Sequence, residues 1–170
     1  MLNIKLPYST GYKEISLEDF RVKGVLTSEV HKLKIENPEP DIVQEALDNP
    51  IQSPRLRDMV KDAKKVLIIT SDHTRPVPSK ITMPILLREI RSLNKDAEVR
   101  ILIATGFHRP STNEELIFKF GKDIVDKEHI LNHDSRDISK MVFKGILPSG
   151  AELYLNSLVD WADFVLAEGF

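Results

Sequence analysis

Two apolar, β-branched runs, Lys65-Val66-Leu67-Ile68-Ile69-Thr70 and Glu98-Val99-Arg100-Ile101-Leu102-Ile103-Ala104-Thr105, constrain this chain more than any other feature. Neither shows the strict alternation of a half-exposed strand, and near-continuous runs of this kind mark strands covered on both faces in a parallel sheet. Each leads through a polar stretch into a helical pattern. Ser71 to Ser79 precede a helix over Ile81 to Leu93 that carries Pro84 near its start. Gly106 to Pro110 precede a helix reaching about Phe120, with Ser111 or Thr112 and Glu114 or Glu115 as a capping box. Two successive strand–loop–helix units require right-handed crossovers between parallel strands, so the fold class is α/β: a mostly parallel sheet with flanking helices.

The remainder is arranged around that unit. Residues Asn3 to Leu17 alternate around Tyr8-Ser9-Thr10-Gly11 and read as an N-terminal β-hairpin, with further extension from Val22 to Leu26. Pro38, Pro40, Pro50 and Pro54 punctuate a stretch with short helices over Ile42 to Leu47, capped by Asp41, and over Arg55 to Ala63. His129 to Asn132 suggests a third strand. Met141 to Ile146 and Ala151 to Asn156 form a late β-hairpin, a short helix lies near Leu158 to Trp161, and Asp163 to Glu168 is a last strand. A length of 170 residues fits one α/β domain spanning 1–170. The sequence halts at Gly169-Phe170, where the earlier strands entered polar loops, and this suggests the front half of a longer chain.

Composition narrows the partners. With 24 basic and 26 acidic residues the net charge is −2, which offers no electrostatic footprint for nucleic acid. The absence of cysteine removes disulfides, iron–sulfur clusters, thiolate zinc sites and thiol nucleophiles, and fits a cytoplasmic location. The start lacks a basic segment followed by an apolar one, and no apolar run approaches the roughly 20 residues of a membrane helix. Neither export nor a membrane is expected.

Ligands of open parallel sheets bind beyond the carboxyl ends of the strands. Two loops occupy that place here. Ser71-Asp72-His73-Thr74-Arg75-Pro76-Val77-Pro78 gathers a carboxylate, an imidazole, hydroxyls and a guanidinium beside two conformation-limiting prolines. An arginine so held can grip a carboxylate or phosphate through two parallel hydrogen bonds. The plainer alternative is a helix cap with a surface ion pair between Asp72 and Arg75. In Thr105-Gly106-Phe107-His108-Arg109-Pro110, Gly106 permits an unusual backbone angle and His108 can project into the same crevice as an acid–base group.

Other clusters carry less. Gly145 and Gly150 have phosphate-loop spacing, but Ala151-Glu152 replaces the required lysine and hydroxyl, so the segment is a hairpin turn. His129 and His133 stand four apart on a strand, where about 13 Å separates them, too far to share one ion. Asn132-His133-Asp134-Ser135-Arg136 is either a solvated loop or part of the crevice lining.

Asp72-His73-Thr74-Arg75-Pro76 after one buried strand and Gly106-Phe107-His108-Arg109-Pro110-Ser111-Thr112 after the next resemble the N-terminal domain of the nickel-dependent lactate racemase family. The likeness extends to the closing Ala162 to Phe170. It implies the N-terminal catalytic half of a two-domain enzyme interconverting the D and L forms of a 2-hydroxy acid. The implied cofactor is a nickel pincer nucleotide (Ni-pyridinium-3,5-bisthiocarboxylic acid mononucleotide). In that chemistry a histidine removes the hydroxyl proton while hydride passes reversibly to the cofactor. The resemblance makes His108 one of two acid–base histidines, Arg75 the holder of the substrate carboxylate, and Asp72 a further active-site residue. The loop Asp72, His73, Thr74 and Arg75 borders the cofactor. None of the family's metal ligands matches a position in this chain: its second catalytic histidine, cofactor-bearing lysine and nickel-ligating histidine lie beyond the match to Phe170. The implied partners are a small 2-hydroxy acid and a C-terminal domain of the same protein, and the chain alone is expected to be inactive. A relative acting on a different 2-hydroxy acid would share both loops. A non-catalytic α/β module holding an anionic nucleotide or metabolite remains the alternative from another class.

Overall fold

The computed structural model describes residues 1–169 and falls into two units, Met1–Glu36 and the chain from Asn37 onward. Phe170, the last residue of the closing segment, lies outside the described residues. In the first unit β1 (Leu2–Tyr8) and β2 (Gly11–Leu17) pair antiparallel, Leu2 opposite Leu17 and Tyr8 opposite Gly11. The turn between them places Ser9 at a left-handed φ of 53°, in line with the turn types that suit strand twist. The extension expected over Val22 to Leu26 is not a strand: Asp19–Arg21 forms a single 3-10 turn, and Val25 and Leu26 stand exposed. A strand requires hydrogen-bonded pairing, and this segment has no pairing partner among the described residues.

The second unit begins with α1 (Glu39–Asp48) and α2 (Leu56–Val60). The first helix starts two residues earlier than Asp41, with Pro38 at the cap position and Asp41 inside the first turn, where a carboxylate complements the helix dipole. There follow β3 (Lys65–Ser71), α3 (Ser79–Leu93), β4 (Glu98–Ala104), α4 (Asn113–Phe120), α5 (Lys122–Lys127) and β5 (His129–Asn132). The late hairpin is β6 (Met141–Ile146) with β7 (Glu152–Asn156), and α6 (Leu158–Trp161) leads to β8 (Phe164–Glu168). The capping box of α4 is made by Thr112 and Glu115.

β5, β4, β3 and β8 form, in that order, a four-stranded sheet in which every pair is parallel. Alternate residues of its middle strands, Val66, Ile68, Ile101 and Ile103, are solvent-free and pack against Met83, Leu87 and Ile90 of α3, Val60 of α2, Phe120 of α4 and Ile124 of α5. The apolar spacing of α3 survives Pro84 because it lies in the second turn, where few intrahelical N–H bonds are lost. On the alternate positions Leu67 and Leu102 are also buried, and the Arg100 guanidinium stacks 4.1 Å from the Trp161 ring centroid. Side-chain bonds fasten β8: Lys64 and Lys65 donate backbone N–H groups to Asp163 Oδ2, each at 2.9 Å. No helix among the described residues is long and apolar enough to cross a membrane.

Candidate active site

The register of β3 with β4 sets Ser71 opposite Ala104, so the loops that follow leave the sheet side by side. Asp72, the first residue beyond β3, is only 3% exposed. Its Oδ1 accepts the Thr74 backbone N–H at 3.0 Å and the Thr74 hydroxyl at 2.6 Å, a local turn that fixes the carboxylate. Its Oδ2 faces Nδ1 of His108 at 2.6 Å. Burial alone would push the Asp72 carboxyl up, but hydrogen bonds from the Thr74 hydroxyl, His108 and the Thr74 amide outweigh it and hold the group at about 2. The surface ion pair with Arg75 is therefore not what forms; Asp72 is committed to Thr74 and His108.

His108 reaches Asp72 because the chain turns sharply after β4. Gly106 adopts φ 57°, and the His108 amide donates to the Thr105 carbonyl at 3.0 Å. The turn is anchored from below by buried Thr105, whose hydroxyl donates to the His133 carbonyl at 2.5 Å. His108, Asp72 and Arg75 line one cleft of about 450 Å³, the arrangement the sequence led us to expect. The His108 side chain is half exposed, with its Nδ1 committed and its other nitrogen left free for a ligand.

Arg75 has no carboxylate partner among the described residues; its Nη1 touches only the Thr74 hydroxyl, at 3.2 Å. His73 is turned to the other side of the loop, where Nδ1 meets Ser111 Oγ at 3.1 Å, and it lines a second cleft together with Thr74 and Arg75. Asn132 holds this neighbour in place by accepting the Ser111 amide at 2.9 Å, while Arg109 is drawn away from the cleft by a two-point bond to Glu115. That guanidinium, with the Thr112 amide, keeps the Glu115 carboxyl at about 2.

The polar cluster after β5 borders the site after all: His133 to Arg136 share a recess of about 180 Å³ with His108 and Arg109. His133 Nδ1 lies 3.1 Å from Asn156 Nδ2. Among the described residues no three His, Asp or Glu side chains are grouped to hold a metal ion. Gly150 takes φ 86° in the turn between β6 and β7.

Two residues escaped the sequence reading. Glu168, at the end of β8, lines the His108 cleft and accepts hydrogen bonds from Thr70 at 2.5 Å, from Ser79 at 2.9 Å and from the Thr82 hydroxyl. A carboxylate in the last apolar strand was the available signal. Lys119, on α4, is buried with no hydrogen-bond partner for Nζ among the described residues; nothing in its local pattern distinguishes it from a surface lysine.

The family model for the lactate racemase N-terminal domain matches residues 8–170. The chain is 50% identical over 170 residues to a lactate racemase of Thermoanaerobacterium thermosaccharolyticum. It is 46% identical over the same span to one of Lactiplantibacillus plantarum. Each alignment takes in the whole chain, which spans 40% of the relative's length. The structure of the lactate racemase apoprotein from T. thermosaccharolyticum matches with a TM-score of 0.88 at 49% identity, over 99% of this chain and 39% of that one. A crystal structure of a Thermotoga maritima protein matches with a TM-score of 0.60 at 22% identity, over 79% of this chain and 34% of that one, and bears on the fold alone.

Proposed function

Because the chain belongs to the lactate racemase N-terminal domain family, we propose that it forms one wall of the active site of a 2-hydroxy acid racemase, with lactate as substrate. The observation that carries this reading is the bond of 2.6 Å between His108 Nδ1 and buried, ionised Asp72. An ionised carboxylate can only accept, so Nδ1 carries the proton and Nε2 presents its lone pair to the cleft. His108 then takes the proton of the substrate hydroxyl and returns it, and Asp72 steadies the imidazolium formed in between. Arg75, which has no carboxylate partner among the described residues, grips the substrate carboxylate.

The residues around the cleft fit the implied nickel pincer nucleotide. Ser71 Oγ is buried without a partner beside the His108 cleft, and Thr74 and Arg75 add polar groups at its edge, a lining that fits the polar part of such a group. Asp72, His73, Thr74 and Arg75 would border it, Asp72 without donating since both its oxygens are engaged. When bound, that group supplies the acceptor and donor of hydride. Racemisation needs acid–base groups on both faces of the reacting carbon, and His108 covers one; the other falls to the C-terminal domain. A cytoplasmic setting suits a chain without cysteine.

The test is His108→Ala in the full-length, cofactor-loaded protein, read as conversion of L- to D-lactate. Turnover is expected to fall about 10²–10⁴-fold with KM changed far less. Turnover within a few-fold of the parent would overturn the reading.

A further inference from the structure

The loop that carries Asp72 leaves the sheet at the end of β3 and enters α3 at Ser79, and one side chain ties its two ends together. Glu168 Oε2 accepts the Thr70 hydroxyl at 2.5 Å and the Ser79 hydroxyl at 2.9 Å, while Oε1 accepts the Thr82 hydroxyl. Thr70 and Ser79 are buried, so neither hydroxyl has water to turn to. A glutamine could serve these hydroxyls without a charge. Yet a full carboxylate stands there, on the wall of the cleft that Asp72 and His108 also line.

Lys119 presents the complementary puzzle. It is 8% exposed, and its Nζ has no hydrogen-bond partner among the described residues. An ammonium withdrawn from water is strongly disfavoured unless opposite charge lies near. Burial pulls this lysine's pKa down, and the carboxylates that draw it back up are Glu168 first and Asp72 second. A methionine would fill the same place on α4 without the penalty. The two unexplained charges therefore answer each other. Asp72 and Glu168 together contribute two negative charges and Lys119 one positive, so a neutral His108 leaves the group at −1 and an imidazolium brings it to zero. In a site of low dielectric such a balance weighs more than it would in water.

We propose that Glu168 and Lys119 are positioning residues of the acid–base pair: Glu168 holds the ends of the Asp72 loop together, and its charge, offset by that of Lys119, sets how readily His108 takes and returns a proton. This rests on the racemase reading of His108. Other charges face the same groups and stay constant when these two are changed. Near His108 they are Arg75, Arg109 in its bond to Glu115, and His133, Asp134 and Arg136 of the shared recess. Lys119 borders a cleft with His73, Lys80 and Glu114.

The full-length protein labelled with ¹³C-histidine, free of cofactor, tests the proposal by nuclear magnetic resonance, the His108 ring signal being the one that disappears in His108→Ala. Its titration midpoint is expected to rise by about 0.5–1 pH unit in Lys119→Met, where a nearby positive charge is lost, and to fall by a similar amount in Glu168→Gln. The double variant should return close to the parent. Glu168→Gln keeps an oxygen for Thr70 and Ser79, and the Thr82 hydroxyl can turn to accept from the new amide, so this arm stands even if Lys119→Met does not fold. In the cofactor-loaded protein the acidic limb of kcat/KM against pH should move in the same two directions. A purely structural role would lower activity without shifts of opposite sign. Unmoved midpoints, or shifts of the same sign in both variants, would overturn the proposal. A loaded parent that fails to convert L- to D-lactate would overturn the racemase reading instead, while the ring titration still decides the charge balance.

Discussion

Asp72→Asn changes one atom and separates orientation from mere presence of a polar group. The Thr74 backbone N–H, 3.0 Å from Oδ1, can only donate, so the amide oxygen of asparagine must stay on that side. The new NH₂ then faces His108 Nδ1 across the 2.6 Å gap, where it too can only donate. Nδ1 is forced to accept, the imidazole proton moves to Nε2, and the nitrogen that should take the substrate's proton is blocked. Turnover of the loaded full-length protein is expected to drop about 10²–10⁴-fold, the usual worth of an acid–base group. Because both residues act as one unit, Asp72→Asn combined with His108→Ala should cost little more than either alone. Stability follows a separate arithmetic. The fall of the Asp72 carboxyl from its ordinary 3.8 to about 2 is worth up to about 2 kcal/mol. That stabilisation is complete above the unfolded value and drains away as the pH falls from about 4 towards 2, so the variant should lose this part of the acid transition. Chiral lactate assays and acid unfolding followed by circular dichroism measure the two effects. Turnover near the parent's, or multiplicative losses in the double variant, would refute the pairing argument.

Arg75→Lys in the same loaded protein should raise KM for lactate by about tenfold or more, since an ammonium lacks the planar two-point grip; steady-state kinetics check it. Glu168→Leu deprives the buried Thr70 and Ser79 hydroxyls of their acceptor and should cost about 2–5 kcal/mol, seen as a lower urea midpoint. Gly106→Ala meets no atom within 4 Å, so its cost is purely that of a left-handed backbone, about 1–2 kcal/mol, with His108 displaced and turnover reduced.

That Asp72, Arg75 and His108 face one crevice was legible because two apolar runs fixed two parallel strands, and adjacent parallel strands release their loops at one edge. The fine choice was not legible: whether Asp72 turns to Arg75 or to His108 depends on Thr74 capturing Oδ1, a matter of local turn geometry. α5, six residues long, gives too few turns for a periodic signal. Glu168 could not be read as part of the site because its partners Thr70, Ser79 and Thr82 lie 86 to 98 residues earlier. Its place depends on β8 joining β3 and not the far edge of the sheet, which no local pattern encodes. Lys119 went unseen because burial of a single lysine is decided by what packs over α4.

The position of β8 also sets an order of assembly. β3 pairs with β4 across a gap of some thirty residues, while its other side waits for a strand about a hundred residues downstream. As the chain leaves the ribosome, the Asp72 and His108 loops can form as soon as β4 and α4 have emerged, yet one flank of β3 remains an unpaired edge until Glu168 appears. An apolar edge of that kind invites pairing with other nascent chains. The two backbone bonds to Asp163 and the three hydroxyl bonds to Glu168, at opposite ends of β8, then act as a clasp that closes the edge once synthesis has passed it. Translation arrested between residues 130 and 160 should therefore yield chains that already hold the acid–base pair but aggregate, and supplying the last strand should rescue them.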